Sequence, residues 1–328
     1  MRKLLWLILS VATLYSCTDS YDPSRQFTGD AESLELEFLM AKDSAVIEIP
    51  AGHFHFDRSL ILDGVDHVTV RGAGIDQSVL SFAEQSEGAE GLKIVNGTNI
   101  TLEDFTIEDA AGDNIKVMDT DQTTFRRVKV AWTGAIDENN GAYGFYPVQC
   151  KHVLIEECEA MGASDAGMYV GQSDSVIIRY NIAYQNVAGI ESENSRWVKI
   201  HNNKAYDNTG GILIFDLPGL TQYGKDIEAW DNEVINNNRK NFAPKRNIVA
   251  AVPPGTGFMF LATEDVHVHD NTITGNKTVG AAIISYALVS ELTGDNDNED
   301  SNAGSAQMIN RKYEEDSRYN PYPRGFEW

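Results

Sequence analysis

The sequence predicts an all-β solenoid whose short parallel strands wind into the coils of a parallel β-helix, and three observations carry that prediction. Eight stretches superpose on one pattern: apolar-x-apolar, two polar residues, a ladder residue, x, apolar. Where nothing is inserted, copies begin 22 or 23 residues apart, at 100 and 123 and at 153, 176 and 198. Within each copy the apolar residues alternate, as in Val176 and Ile178 or Val266 and Val268. A fixed period of this size marks coils that bury their apolar faces against their neighbours. Alternation of period two fits strands and not helices.

The elements follow in order. Arg2 and Lys3 precede an apolar run, so residues 1–16 read as a signal peptide. Leu14-Tyr-Ser-Cys17 resembles a bacterial lipoprotein cleavage box, which implies cleavage before Cys17 and its diacylation. An ordinary cleaved signal with an incidental Cys is the other reading. Residues 17–29 are polar, contain Pro23 and read as a lipidated tether. Leu34, Leu36, Phe38 and Leu39 suggest a short amphipathic helix, and residues 30–44 are expected to cap the open first coil. The solenoid is expected over residues 30–289, with a looser first copy at Val68, Val70 and Gly72. Intervals of 30, 29 and 39 residues mark coils with extra loops at 131–142, 216–226 and 236–256. The last of these loops is basic and Pro-rich. After Val289 comes an acidic stretch, then an aromatic end (Tyr313, Tyr319, Tyr322, Phe326, Trp328) expected to dock on the solenoid. Residues 290–328 read as a separate segment, without a clear terminal cap.

Two columns check the register. The ladder position reads Phe105, Val128, Cys158, Asn181, Asn203, Asn232, Asn271, and stacked Asn side chains can bond from coil to coil. An outward column reads Arg71, Glu103, Arg126, Glu156, Arg179, and its alternating signs favour cross-strand pairs. A slip of one residue would destroy both.

Composition narrows the partners. The chain has 49 acidic and 26 basic residues and a formal charge of −23, which disfavours nucleic acid and any long-range attraction to polyanions. The acidity is compatible with calcium, although no cofactor is required and no metal ligand set stands out. His267 and His269 point the same way, but His201 is two coils away, so they read as a surface pair. Cys150 and Cys158 are expected as buried thiols, in a compartment that would also permit a bridge. A monomer is expected.

Several runs carry a family resemblance. Ile49-Pro-Ala-Gly52 and Val70-Arg-Gly-Ala-Gly74, with the repeats, resemble right-handed parallel β-helix proteins of the carbohydrate-binding and sugar-hydrolysis type. The runs beginning at Tyr143, Ser164, Asn208 and Phe215 look like a bacterial family named only for its β-helix repeats. This resemblance implies a right-handed helix over residues 45–289 without assigning an activity; the expected location in the cell envelope follows from the lipoprotein cleavage box. Mannuronan C5-epimerases carry a Tyr-Gly-hydrophobic-Asp-Pro-His-Asp/Glu run. Here Tyr143, Gly144, Phe145 and Pro147 match it, while Tyr146, Val148 and Gln149 replace its catalytic positions. The epimerase motif is therefore lost. A pectate-lyase arrangement cannot be matched either.

The candidate site lies on the outward positions of a second recurring strand. Its columns read Lys116, Tyr146, Tyr169, Glu191, Leu213, Met259, then Met118, Val148, Gly171, Glu193, Phe215, then Asp119, Gln149, Gln172, Asn194, Asp216. Aromatic stacking with amide and carboxylate hydrogen bonds is a way to hold sugars. Tyr146 or Tyr169 is expected as proton donor, Glu191 as base or orienting acid, and Lys116 opposite a substrate carboxylate. Gln149, Gln172, Glu193, Asn194 and Asp216 are expected to bind ligand. Asp165 reads as a turn residue or a cleft acid. Two functions follow: a membrane-anchored enzyme acting on polysaccharide, such as a uronate-polymer lyase or epimerase or a hydrolase, or a non-catalytic glycan-binding or structural surface lipoprotein.

Overall fold

The computed structural model describes residues 30–292 and 313–328. The signal peptide, Cys17 with its tether, and most of the acidic stretch after Val289 lie outside the described residues.

Each repeat forms one coil of a right-handed parallel β-helix. Among the described residues seventeen strands make one continuous parallel sheet that bends around a corner, and nine make a second. The repeat stretches supply the first sheet, from Val46–Ile49 through Lys151–Glu156 and Asp174–Arg179 to Glu264–His269. Short strands such as Ile182–Tyr184 and Lys204–Tyr206 turn the corner. The second sheet stacks Arg58–Asp63, Glu87–Val95, Ile115–Met118, Tyr143–Val148, Ala166–Gly171, Ala188–Glu193, Gly210–Phe215, Thr256–Leu261 and Val279–Ile284. The first two of these strands fall outside the periodicity read from the sequence. Arg324–Glu327 pairs with Glu264–His269 and adds a strand to the first sheet.

Inward residues fill the coils with Val, Ile, Leu and Phe, including Ile155, Ile178, Ile200, Ile190 and Ile212, all buried. Each such side chain stabilises the fold by ~1.5–3 kcal/mol through burial. The helix Ala31–Leu39 starts at Asp30, whose carboxylate accepts from the Ser33 amide at 2.7 Å, and it turns Leu34 and Phe38 onto the first coil. That helix covers strand edges that would otherwise be free to pair.

The two register columns stack as the sequence reading has them. Arg71 meets Glu103 at 2.6 Å, Arg126 meets Glu156 at 2.7 Å, and Arg179 meets Glu156 at 2.6 Å. Asn181, Asn203, Asn232 and Asn271 form a continuous ladder in which each Nδ2 donates to the next Oδ1 at 2.9–3.0 Å. A second ladder, Asn186, Asn208, Asn237 and Asn276, runs beside it at 3.0–3.2 Å. Cys150 and Cys158 are buried free thiols. Among the described residues no helix is long and apolar enough to cross a membrane.

Candidate functional site

The second sheet's register brings the predicted columns together. Tyr146 pairs with Lys116, Tyr169 with Glu191, and Glu191 with Leu213; Glu193 stands between Gly171 and Phe215. This outward face is not a solvent face. Tyr169, Glu191 and Glu193 are at most 1% exposed, and Tyr146 is 6% exposed. Two of the three loops flagged by the long intervals, 216–226 and 236–256, cover them. Ile248, Val249 and Val252 from loop 236–256, Leu217 from loop 216–226, and Tyr286 and Tyr319 pack with Tyr143, Tyr146, Tyr169 and Phe215 in a second apolar cluster. The Tyr319 hydroxyl donates to the Asp216 backbone oxygen at 2.7 Å.

Three tyrosines meet at the centre of the face. The Tyr143 ring lies 4.5 Å from both Tyr146 and Tyr169, and Tyr146 meets Tyr169 edge-on at 5.1 Å. The Tyr169 hydroxyl donates to Glu193 Oε1 at 2.8 Å. Asn247, from the covering loop, donates to Asp165 Oδ2 at 3.2 Å. Asp165 is therefore a buried acid of this face, next to a corner, and not merely a turn residue.

One oxygen of each of three carboxyl groups has no protein hydrogen-bond partner: Asp165 Oδ1, Glu191 Oε2 and Glu193 Oε2. Burial pushes all three groups above the usual carboxylate range, against the lowering hydrogen bonds from Asn247 and Tyr143 to Asp165 and from Tyr169 to Glu193; repulsion from Asp113 adds to the rise at Asp165, and repulsion from Asp165 adds to it at Glu191 and Glu193. Asp216 is pushed up to about 8, mainly by burial, although the Gly224 amide donates to its Oδ1 at 2.9 Å. Asp165, raised to about 7, and Glu193 and Asp216, raised to about 8, can hold or release a proton near neutral pH. The tyrosines move the other way from what a neighbouring Lys would cause. Burial and then the surrounding carboxylates raise the phenols of Tyr146 and Tyr169, so they stay protonated.

The other predicted residues have more local tasks. Lys116 sits at the rim, with Nζ 3.6 Å from Glu90 Oε1 and 4.9 Å above the Tyr146 ring. Asn194 is buried and braces loop 216–226 through Leu217 N, Leu217 O and Gln222 O at 2.8–2.9 Å. Gln172 accepts from the amide and hydroxyl of Thr221 in the same loop. Gln149 is half-buried at the matching corner. All three amide residues have left-handed backbones, with φ of 47–56°, which Asn tolerates best of the three. Asp165 and Asn247 were the members whose place at this face the sequence reading left open or missed. Asp165 lies one residue before the strand Ala166–Gly171, and Asn247 lies in an insertion outside the repeat.

Comparisons with known proteins agree with this architecture. Residues 59–227 match the family described as the right handed beta helix region. The A-module of an Azotobacter vinelandii mannuronan C-5 epimerase superposes with a TM-score of 0.56 at 17% identity, covering 76% of this chain and 66% of that module. A hyperthermoactive exopolygalacturonase from Thermotoga maritima superposes with a TM-score of 0.53 at 13% identity, covering 78% of this chain and 86% of the other. At these identities the likeness is one of fold. No curated protein matches the chain. With more than half its length matched and every coil closed by parallel strands, the chain belongs to the right-handed β-helix family.

Proposed function

We propose that this protein acts on a polysaccharide at the covered face of its second sheet, by acid–base catalysis from buried carboxyl groups. The observation that carries this reading is the convergence of Asp165, Glu191 and Glu193, each buried with one oxygen lacking a protein partner. Leaving such an atom unmatched costs ~1–3 kcal/mol, so three together on one face call for donors from outside the chain. Sugar hydroxyls are such donors. Carboxyls with raised proton affinity are suited to protonate a leaving oxygen or to activate water, while Tyr146 and Tyr169 offer ring surface for stacking. Their phenols remain neutral, which gives them hydrogen-bonding roles and leaves proton transfer to Glu191, Glu193 and Asp165.

Charge decides among substrates. The face gathers carboxyls, and Lys116 is already engaged by Glu90. A uronate would bring a further negative charge into a poorly screened site. We therefore favour hydrolysis of a neutral glycan over uronate elimination or epimerisation. Access requires the cover formed by loop 236–256 and Tyr319 to part. Reducing-end release should be measured on a panel of neutral and uronate polymers, alongside ultraviolet detection of unsaturated products. Reducing ends are expected from a neutral polymer, lost in Glu191→Gln and Glu193→Gln variants that still unfold as a single cooperative unit. Unsaturated product would replace it with the lyase reading, and binding without turnover with the non-catalytic one.

The lipobox motivates a proposal about location. Cys17 anchors the chain to a bacterial envelope membrane, so the protein should partition into the detergent phase of a cloud-point extraction. Cys17→Ala should abolish that partition, and an unchanged distribution would contradict the anchor.

A further inference from the structure

The first sheet carries a second cluster of polar side chains, on a face separate from the buried carboxyls. His267 and His269 alternate outward on the strand Glu264–His269, and the parallel register sets Glu228 of the preceding coil beside His267. Glu228 Oε1 lies 3.3 Å from His269 Nε2 and 3.9 Å from His267 Nδ1. The three potential ligand atoms all fall within 4.8 Å of one another. Zinc–nitrogen and zinc–oxygen bonds of ~2.0–2.2 Å place neighbouring atoms of a tetrahedral set roughly 3.3–3.5 Å apart. The Glu228–His269 edge already has that length. The Glu228–His267 edge needs to close by about half an ångström, and the His267–His269 edge, within 4.8 Å, by at most about 1.5 Å; both lie within reach of side-chain torsions on the exposed His267.

The second observation concerns the other nitrogen of His269. Its Nδ1 stands 2.8 Å from Asp270 Oδ2. With the proton on Nδ1 donated to that carboxylate, Nε2, which lies within hydrogen-bonding distance of Glu228 Oε1, is the nitrogen that binds a cation once the cation displaces its proton. A carboxylate in this position orients a metal-binding imidazole and raises its basicity. The His269 ring is further aligned with the Trp230 ring, 6.0 Å away and 3° from parallel. In the following strand Glu327 stands next to His267 and adds negative charge to the same patch. His201 lies two coils from His269, and the register supplies Glu228 as the third ligand instead.

We propose that Glu228, His267 and His269 form a binding site for a borderline divalent transition cation, zinc in particular, with Asp270 orienting His269. Two imidazoles and one carboxylate suit zinc better than calcium or magnesium, which prefer all-oxygen shells. Three protein ligands leave a fourth position for water or for a polar group of a ligand.

Calorimetric titration of chelator-treated full-length protein with zinc chloride near neutral pH tests this directly. One equivalent should bind, excess calcium should not displace it, and His267→Ala and Glu228→Gln should each weaken uptake by at least ~100-fold. Asp270→Asn should weaken it by ~10–100-fold, the usual effect of removing an orienting partner. All these variants should keep the metal-free melting temperature, because the side chains changed are exposed or half-exposed. Absence of zinc uptake by the unaltered protein would overturn the proposal, as would uptake indifferent to both His267→Ala and Glu228→Gln. Equal affinity in Asp270→Asn would remove Asp270 from the site.

Discussion

At Gly167 a methyl group would stand 2.6 Å from Asn186 Nδ2, and at Gly189 one would stand 2.8 Å from Asn208 Nδ2. The second asparagine ladder therefore exists because the residues facing it have no side chain. Gly167→Ala should lower unfolding free energy by ~1–3 kcal/mol in a urea titration, through overpacking. Asn208→Leu should cost a similar ~1–3 kcal/mol by leaving its neighbours' polar groups unmatched. Unchanged midpoints would contradict the packing. This ladder was legible in the sequence, since Asn186, Asn208, Asn237 and Asn276 each follow a member of the first ladder by five residues. The proton affinities of the site were not, because they depend on what covers it. Asp165, Glu191, Glu193 and Asp216 all hold protons more tightly in the folded chain than their ordinary values. The folded state then binds more protons than the unfolded one, so stability should fall as pH rises from the ordinary carboxylate range to about 8, the value for Asp216. Melting temperatures across that window should show the fall, and Glu193→Gln should reduce its slope. A flat profile would mean the carboxyls are solvated.

The elements divide into those the period dictates and those it does not. Strand register, the asparagine ladder, the charge column and the face shared by Tyr146, Tyr169 and Glu191 followed from the spacing of 22 or 23 residues, because equivalent positions on successive coils stack. The strands Arg58–Asp63 and Glu87–Val95 escaped that pattern because their coils are irregular, with a shift in register after Arg58. Glu90, the partner that occupies Lys116, was missed with them. The covering loops were legible as excess length, but length alone does not say which way a loop folds. Their apolar residues, such as Ile248 and Val249, set that direction by burying against the tyrosines. Tyr319→Phe should remove one bond that ties the C-terminal segment to Asp216, at ~0.5–1.5 kcal/mol. Amide exchange in residues 216–226 should accelerate in that variant. Exchange at the parent rate would show that the cover is held by other contacts alone.

The molecule is a strongly acidic solenoid that gathers sequence-distant residues into outward columns and closes loops over one face of them. Its formal charge of −23 makes long-range capture of a polyanion unfavourable, in line with the local excess of carboxyls over free cations at the covered face. The same fold serves unrelated chemistries, so the site residues carry the argument and the fold does not. Outward residues on adjacent coils stand ~4.8 Å apart, close enough for one sugar ring to span two coils. The most direct test is a crystal structure with a neutral oligosaccharide drawn from the active polymer. The account predicts a sugar ring among Tyr146, Tyr169 and Glu193, with its hydroxyls bonded to Asp165, Glu191 or Glu193 and the cover displaced. Sugar bound on another face, with those three carboxyls still lacking partners beneath a closed cover, would contradict it.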